Sequence, residues 1–443
     1  MAHMRDNHST RLPFWRKLGY AVGGLGDSLA FNVTSFYFLY YLINVAGVPP
    51  IEAGLLAGVP RILLSPLGAL AGPLSDRIRS KWGRRRIFLL ICGPLMGSFF
   101  FLQFYVPPGL SLSALIVFWW VVQFGLNISM TLTLGAYNAM AAELTSSSDE
   151  RMQLVSLQQG FGVIASIIGP SITLVLVEVF GGDQLGFTWM SGTYGLVIVL
   201  MFLIVFLTTS PEPESSTQLM HLSLWKEAMS VLRLRSFQLQ MCVAFLVQSA
   251  SVVFSATIIF YLTFVMQVEN LIPLIILVAS LSSLVSIGGW NWMSRWNKRW
   301  AFIIGILLYI GTLFAMSVIP AQSPFIWVFS VLIGAGSITT TIFPKSVLTD
   351  VIANDQAHEG RSRAGLFTGL YGLSTRIGQS VGSTLIGWLL ALTSFTEGST
   401  QGIRWIIGYV PSVFLIMVIP CILLFRLSTD TRNQKTLHDI PEK

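Results

Sequence analysis

Four charged residues lie inside long apolar stretches of the sequence, where a charge is costly. They are Asp27, Arg61, Lys345 and Arg376. A lone charge in the middle of a membrane costs about 3 kcal/mol or more, so such residues are usually paired and mark substrate or ion pathways. Because a paired carboxylate is much less costly than a lone one, we expect Asp27 to have Arg61 or Arg376 as its partner. Two interpretations stay open: a static salt bridge between helices, or a site for substrate or a proton.

Uncharged polar residues in the same stretches carry groups that bind sugars. Planar amides match vicinal hydroxyl groups, and aromatic rings stack on the faces of sugar rings. Each such residue on its own more often makes a hydrogen bond between helices, so the group matters more than its members. The predicted substrate-binding residues, drawn from both halves of the chain, are Asp27, Asn32, Tyr137, Gln158, Gln159, Tyr371 and Arg376.

A second charged group lies at the ends of the apolar stretches, and we expect it to form a gate at the cytoplasmic face. Acidic and basic side chains at helix ends attract one another and also interact with the helix dipoles. Lys345 is close enough to an end to extend its ammonium group to water or to pair with Asp350. The predicted gate residues are Asp76, Arg77, Arg84, Glu143, Arg151, Lys345, Asp350 and Arg361.

The composition of the chain determines which elements position these residues. Of the 443 residues, 53% are hydrophobic and only 11% are charged, against about 25% charged residues in soluble domains. The apolar runs of about 20 residues fit the thickness of a bilayer. A backbone in lipid must satisfy its own hydrogen bonds, so we predict an all-α membrane protein with twelve transmembrane helices. Among them we expect separate helices over 270–292 and 300–320, joined by a basic loop.

The net charge of +7 comes largely from basic residues between the apolar runs, as in "DRIRSKWGRRR" (76–86). Such clusters orient a membrane protein, so we expect no nucleic-acid partner and place both termini in the cytoplasm. All five histidines lie outside the apolar runs, and the three cysteines show no disulfide or metal spacing. We therefore expect no metal site and no cofactor.

The chain divides into two halves that resemble each other. We predict a cytoplasmic tail (1–17), a six-helix bundle (18–209), a cytoplasmic linker with an amphipathic helix (210–237), a second six-helix bundle (238–427) and a cytoplasmic tail (428–443). "AAELTSSSDERMQLVSLQQGFG" in the first half resembles "LTDVIANDQAHEGRSRAGLFTG" in the second, since each has a helix ending in an acid, a polar loop with arginine and a glycine-rich helix. Such a duplication is typical of transporters built from related bundles.

Three segments carry a resemblance to a known family. The loop at 72–86 resembles the loop between helices 2 and 3 of the major facilitator superfamily. Together with "KLGYAVGGLGD" and "LTDVIANDQAHEGRSRAGLFTGLYG", it resembles the glycoside–pentoside–hexuronide:cation symporters, of which melibiose permease is the type member. The resemblance implies two pseudo-symmetric six-helix bundles and transport by alternating access.

The same resemblance shows where this chain departs from the family pattern. Leu64 and Gly68 replace the two acidic cation ligands of helix 2, and sodium needs oxygen ligands that these residues do not offer. Thr133 replaces a sugar-binding acid of helix 4, whereas Tyr137 keeps the aromatic position and Arg376 the basic position of helix 11. The resemblance thus implies the fold and the place of the site, and we expect no coupling to sodium.

We predict a secondary active or facilitative transporter of a small polar organic solute that works by alternating access, and the family resemblance implies that this solute is a sugar or glycoside. No Walker loop, zinc spacing or Ser–His–Asp set is present, so we expect neither an enzyme nor an ATP-driven pump. Any coupled ion would be a proton on Asp27, with Arg61 and Arg376 as neighbours. Burial favours a neutral carboxyl group and a nearby guanidinium favours the ionised form, so a partner that moves would let Asp27 bind and release a proton.

Two other functions stay open at this point. A transporter of lipids, lysolipids or other amphiphiles would have a cavity with few acids and many apolar side chains. A non-transporting membrane assembly factor would have its cavity closed by apolar packing. In each case the expected setting is the same: a multi-pass monomer in a bacterial inner (plasma) membrane, in contact with membrane lipid.

Overall fold

The computed structural model describes residues 12–68, 80, 82–83, 85–145, 147–209, 224–359, 363–393 and 400–424. These residues are almost entirely helical, and no strand occurs among them. Helices of the first half are α1 (Phe14–Ala21), α2 (Gly23–Val33), α3 (Pro50–Leu63), α4 (Arg86–Gln103), α5 (Leu112–Leu144), α6 (Ser148–Val179) and α7 (Asp183–Thr208). Helices of the second half are α8 (Leu224–Leu232), α9 (Arg235–Phe260), α10 (Ile272–Val318), α11 (Ile326–Glu359), α12 (Ala364–Leu392) and α13 (Gln401–Leu424).

Several helices join into longer membrane-crossing segments. Val22 has helical dihedral angles and links α1 to α2, and π-helical turns at Thr34–Phe38 and Tyr41–Val45 extend α2. Another π-helical turn, Tyr261–Val265, extends α9 in the same way. A π-helical turn forms its backbone hydrogen bonds between residues five apart in the same segment, so these turns fit the requirement that a backbone in lipid satisfies its own hydrogen bonds.

Within the described residues, nine helical segments are long and apolar enough to cross a membrane. One of them, Glu269–Val318, has 50 residues, which is more than twice the length that one crossing needs. Its helix leaves helical geometry at Asn297 (φ −157°, ψ 106°), so α10 makes two crossings. The α1–α2 segment and α12 add the remaining two, and the described chain is consistent with the twelve predicted crossings.

The prediction of a loop between 292 and 300 was wrong. The helix breaks at Asn297 alone, whose side-chain oxygen accepts hydrogen bonds from the backbone N–H groups of Arg299 (3.1 Å) and Trp300 (3.2 Å). This is the geometry of a helix N-cap. A cap inside the polar stretch lets the next crossing begin at once, so no separate loop is needed.

Successive crossings run in opposite directions, which gives the molecule two ends. We call the end at which α1, α6, α9 and α12 begin the near face. The end at which α3, α5, α7 and α13 begin is the far face. The two halves meet closely at the far face, where α3 of the first half packs against α12 of the second.

Glycine makes this far-face contact possible. A Cβ atom on Gly54 would lie 2.8 Å from the Cα atom of Gly387, and one on Gly58 would lie 2.1 Å from the Thr384 hydroxyl oxygen. The Ser380 hydroxyl donates a hydrogen bond to the Gly58 carbonyl oxygen at 2.5 Å. Small residues allow helices in a membrane to pack with their backbones in contact, so the far face is closed.

Aromatic packing adds to the far-face closure at the ends of the first segment and α9. The Tyr40 ring lies 5.4 Å from the Phe260 ring, edge to face, and 6.5 Å from the Phe264 ring. Edge-to-face pairs of this kind contribute about 0.5–1.5 kcal/mol beyond the area they bury. The first helix of one half is thereby held to the first crossing of the other.

Ion pairs at the near face have a different arrangement. Lys17 pairs with Glu150 at 3.1 Å within the first half, and Lys298 pairs with Asp350 at 2.5 Å within the second. Arg363 pairs with Asp355 and, at 3.5 Å, with Glu359, also within the second half. Each of these pairs stabilises one half.

The short helix α8 docks on the near face of the second half. Ser230 accepts a hydrogen bond from Arg363 at 3.1 Å, and Val231 packs into a small apolar cluster with Phe237, Val351 and Phe367. The hydrogen bond to Asp355 raises the pKa of the Arg363 guanidinium above its usual value, so this anchor stays charged at every physiological pH.

Candidate functional site

A cavity of about 250 Å³ lies between the two halves of the molecule. Its polar wall comes from several helices, and both halves contribute. The first half supplies Asp27, Thr34, Arg61, Gln123, Asn127 and Thr131, and the second half supplies Thr375, Arg376 and Gln379. Phe31, Leu126 and Met130 form part of the apolar wall.

Three of the four intramembrane charges meet in this cavity. Asp27 is on α2, Arg61 is on α3 and Arg376 is on α12. The Arg376 guanidinium donates a hydrogen bond to the Thr131 hydroxyl at 2.8 Å, and this bond links the two halves. The Arg61 guanidinium lies 5.7 Å from the centre of the Phe31 ring, within the range of a cation–π contact.

The predicted partner of Asp27 is near but does not form an ion pair in this conformation. Oδ1 of Asp27 and Nη1 of Arg61 have no hydrogen-bond partner among the described protein atoms. Arg376 interacts electrostatically with the Asp27 carboxylate over a longer distance. The direct pair therefore stays a prediction for another state of the protein.

A polar stripe on α5 forms much of the cavity wall, and sequence reasoning missed it. Gln123, Asn127 and Thr131 are four residues apart, so they lie on one face of the helix. The Asn127 side-chain amide donates to the Gln123 carbonyl oxygen at 2.9 Å, and the Gln123 amide donates to Gln103 at 3.1 Å. Their spacing of four residues, which is typical of one face of a helix, would have allowed their prediction from the sequence.

Gln379 is a second residue that the sequence did not single out. It follows Arg376 by three residues on α12, so both side chains face the cavity. Its amide nitrogen donates a hydrogen bond to the Gln248 side-chain oxygen at 3.1 Å. That contact holds the amide of Gln379 in place beside the guanidinium.

Tyr137 and Gln158 are predicted site residues that the structure places inside the first half. The Tyr137 ring is fully buried and stacks on the Tyr20 ring at 4.7 Å, and its hydroxyl donates to the Tyr20 carbonyl oxygen at 2.7 Å. Gln158 donates to the Asn138 side chain at 3.0 Å and accepts from the Tyr20 hydroxyl at 3.3 Å. Tyr137 comes six residues after Thr131, which turns it about 120° away from the cavity-facing stripe.

The other uncharged predicted residues also lie outside the cavity wall. The Asn32 amide donates to the Ser28 carbonyl oxygen at 2.7 Å, on its own helix. Gln159 is exposed. Tyr371 packs beside the apolar cluster around Phe367. It precedes Arg376 by five positions, so the two side chains lie about 140° apart around α12. The structure thus brings Asp27 and Arg376 together and does not place Asn32, Tyr137, Gln158, Gln159 or Tyr371 with them.

One of the two positions at which this chain lacks an acid of the family pattern, Gly68, lies close to a cavity charge. A Cβ atom on Gly68 would lie 3.7 Å from the guanidinium carbon of Arg376. The position that carries an acid in the resembled pattern is therefore a glycine beside an arginine. Among the described residues, no group of three or more His, Cys, Asp or Glu side chains forms a metal site.

The predicted gate residues are only partly within the described chain. Asp76, Arg77, Arg84 and Arg361 lie outside the described residues, as does the side chain of Glu143. Arg151 is exposed and donates to the Thr145 carbonyl oxygen at 3.5 Å. Asp350 pairs with Lys298, so the suggested Lys345–Asp350 pair is not formed here.

Comparisons with known proteins agree with this architecture. The model of a family described as MFS/sugar transport protein matches residues 19–429. A glucuronide carrier protein homolog of Escherichia coli (strain K12) is 24% identical over 97% of this chain and 96% of its own. The isoprimeverose transporter of Lactiplantibacillus pentosus is 22% identical over 98% of this chain and 93% of its own.

A solved structure shows the same fold. It is a bacterial homolog of the human lysosomal transporter Spinster in an inward-facing and unoccupied conformation, with a TM-score of 0.68 and 15% identity. The match covers 94% of this chain and 97% of that one. The resemblance extends over both halves and shows a major facilitator fold.

Proposed function

The chain belongs to the MFS/sugar transport protein family, and from this premise we propose that it transports a sugar or glycoside by alternating access. It is a multi-pass membrane transporter and not an enzyme. We also propose how the chain is oriented in the membrane and which ion would drive transport.

The observation that carries the proposal is a polar cavity with walls from both halves. Binding between two bundles lets a rocking motion expose one site to each side in turn. The 2.8 Å bond between Arg376 and Thr131 joins the halves at the cavity, beside the closed far face. A solute that binds Arg376 in place of Thr131, or together with it, would contact both halves. Its binding would then depend on the position of the halves relative to each other.

The cavity also supports a small and polar solute. The amides of Gln123, Asn127 and Gln379 offer paired donors and acceptors for hydroxyl groups. Its volume of about 250 Å³ is below the ~300–1,000 Å³ of pockets that hold drug-sized ligands. A monosaccharide-sized solute suits this space better than the acyl chain of a lysolipid, and the polar wall differs from the apolar packing expected of an assembly factor.

Orientation follows from the basic residues between the helices. With both termini in the cytoplasm, the near face is cytoplasmic and the closed far face points outward. A bacterial inner membrane and a monomeric state complete the proposed setting.

Asp27 is the residue we propose for any ion coupling. Leu64 and Gly68 provide no side-chain oxygen for sodium, and Arg376 lies beside Gly68. Asp27 lines the cavity and has a buried oxygen without a hydrogen-bond partner among the described protein atoms, and a change in its distance from Arg376 between states would change its affinity for a proton.

The proposal is tested with purified protein and a panel of sugars, glycosides and lysolipids. Thermal stabilisation identifies ligands, since a ligand that binds only the folded state raises the stability. Counterflow of each ligand in liposomes then measures transport. Stabilisation and counterflow by at least one sugar or glycoside, lost in Arg376→Gln, are the expected results. Stabilisation by lysolipids alone would favour a lipid transporter, and no counterflow of any compound would contradict the transport of these solutes.

A further inference from the structure

The charges around the cavity do not balance. Its lining contains two guanidinium groups, on Arg61 and Arg376, and one carboxylate, on Asp27. An arginine does not lose its proton in a protein. When all three groups are ionised, the described part of the cavity lining therefore carries one net positive charge.

The excess charge can be assigned to Arg61. Asp27 and Arg376 interact electrostatically with each other, and Arg376 also has the Thr131 hydroxyl as a hydrogen-bond acceptor. Arg61 has the face of the Phe31 ring, while its Nη1 atom has no acceptor among the described protein atoms. Water can accept a hydrogen bond from this group but cannot neutralise its charge.

A charge without a counter-charge in a protein interior is costly, whereas a paired one is much less so. A guanidinium group offers parallel N–H donors whose geometry matches a carboxylate or a phosphate. A bound anion would supply both the missing acceptor and the missing negative charge. Asp27 repels anions, but Arg376 lies near it and offsets that repulsion.

We propose that the transported solute carries one anionic group, a carboxylate or a phosphate, which binds to Arg61. The inference deepens the proposed function, on which it rests, by naming the charge of the solute. The uncharged part of the solute faces the amides of Asn127 and Gln379, and one of its hydroxyl groups donates to the Asp27 carboxylate. Arg61 thus selects the solute, and Asp27 and Arg376 form the remainder of the charged wall.

The test uses matched ligands that differ at one group. Glucuronic acid carries a carboxylate at C6, glucuronamide carries an uncharged amide in its place, glucose carries a hydroxymethyl group, and glucose 6-phosphate carries a phosphate. Binding is measured by thermal shift, and transport by counterflow in liposomes. Hydrogen bonds to charged groups contribute about 1.5–3 kcal/mol, so we expect the acid to bind at least about tenfold more tightly than the amide. The glucose 6-phosphate arm shows whether a phosphate serves as well as a carboxylate.

Two substitutions of Arg61 test whether this residue causes the preference for the acid. In Arg61→Gln the preference for acid over amide should disappear, whereas in Arg61→Lys, which keeps the charge, part of it should remain. The ligand series on the wild-type protein gives the answer even if Arg61→Gln does not fold. Equal or better binding of glucose and glucuronamide would overturn the inference and leave the proposed function standing. Failure of all four ligands would also overturn only the inference if another, neutral sugar of the wider panel binds and exchanges, whereas failure of these four and of every sugar and glycoside in the panel would overturn both. An acid preference that survives in Arg61→Gln would remove Arg61 from the site.

Discussion

Different interactions stabilise the far face and the near face of the protein. At the far face, glycine lets α3 and α12 bring their backbones into contact, and aromatic rings join the halves. At the near face, ion pairs such as Lys298–Asp350 and Arg363–Asp355 join helices of one half. Packing contacts act only at contact distance, so a small rotation can release the far face. Ion pairs within a half keep that half rigid while it moves.

This comparison predicts which substitutions destabilise one half and which ones change the position of the halves relative to each other. Distances between spin labels distinguish these two effects. Labels at Asn44 and Gln322 report on the far face, and labels at Asp149 and Ala357 report on the near face, because each pair has one exposed residue in each half. Labelling requires prior replacement of Cys92, Cys242 and Cys421.

The largest expected effect is the loss of stability in Arg363→Gln. The side chains of Arg363 and Asp355 are 7% and 6% exposed, and breaking a buried ion pair costs about 3–5 kcal/mol because the remaining charge has no partner. Thermal unfolding should occur at a clearly lower temperature, and α8 should detach from the second half. The far-face label distance in the protein that remains folded should not change. A far-face opening in this variant would contradict the assignment of the pair to one half.

Gly58→Leu should break the far-face closure. A Cβ atom at this position would lie 2.6 Å from the Ser380 carbonyl oxygen, and this backbone atom cannot rotate away. Overpacking costs about 1–3 kcal/mol, which corresponds to a shift of roughly 5- to 150-fold between the two conformations. The distance between the far-face labels should increase and the near-face distance should decrease.

Gly311→Leu is the matched control for this substitution. Gly311 is an exposed glycine within a helix, and a Cβ atom there would meet nothing within 4 Å. We expect it to leave both label distances unchanged. Unchanged distances in Gly58→Leu as well would mean that the closure does not depend on the glycine contact.

A smaller effect is expected from Asp27→Asn, which tests the cavity between the two faces. The amide keeps the shape of the side chain and cannot release a proton. If a proton is coupled, an inward proton gradient should drive accumulation in wild-type liposomes and not in this variant, whereas counterflow without a gradient should persist in weakened form, because the asparagine amide oxygen can still accept a hydrogen bond from the solute. Accumulation that survives the substitution would remove Asp27 from coupling. Stimulation by sodium would contradict the argument from Leu64 and Gly68.

The smallest expected effect is that of Lys298→Gln. Its partner Asp350 is 48% exposed at the side chain, and exposed ion pairs contribute about 0–1 kcal/mol. Uptake and unfolding temperature should stay close to the wild-type values, in contrast to Arg363→Gln. A large loss of uptake in Lys298→Gln would indicate that this pair has a part in the movement of the halves.

The charged part of the site could be predicted from the sequence, while most of the uncharged part could not. Asp27, Arg61 and Arg376 were identifiable because each is a charge in an apolar run, and such a charge can be recognised without knowledge of its partner. Tyr137 and Gln158 have equally suitable chemistry, but they bond to Tyr20 and Asn138 within the first half. A polar group in a membrane helix can face a cavity or a neighbouring helix, and its type does not tell which.

The sequence by itself determined the membrane class, the crossings and the intramembrane charges, since hydropathy and charge follow from residue types and their order. Even the stripe of Gln123, Asn127 and Thr131 is readable as a spacing on one helix. Only the tertiary structure decided that this stripe faces Arg376, a residue 245 positions from Thr131 in the chain. The rotation of each helix about its axis and the pairing of distant helices depend on close packing, as at Gly54 and Gly387, and no local pattern in the sequence specifies them.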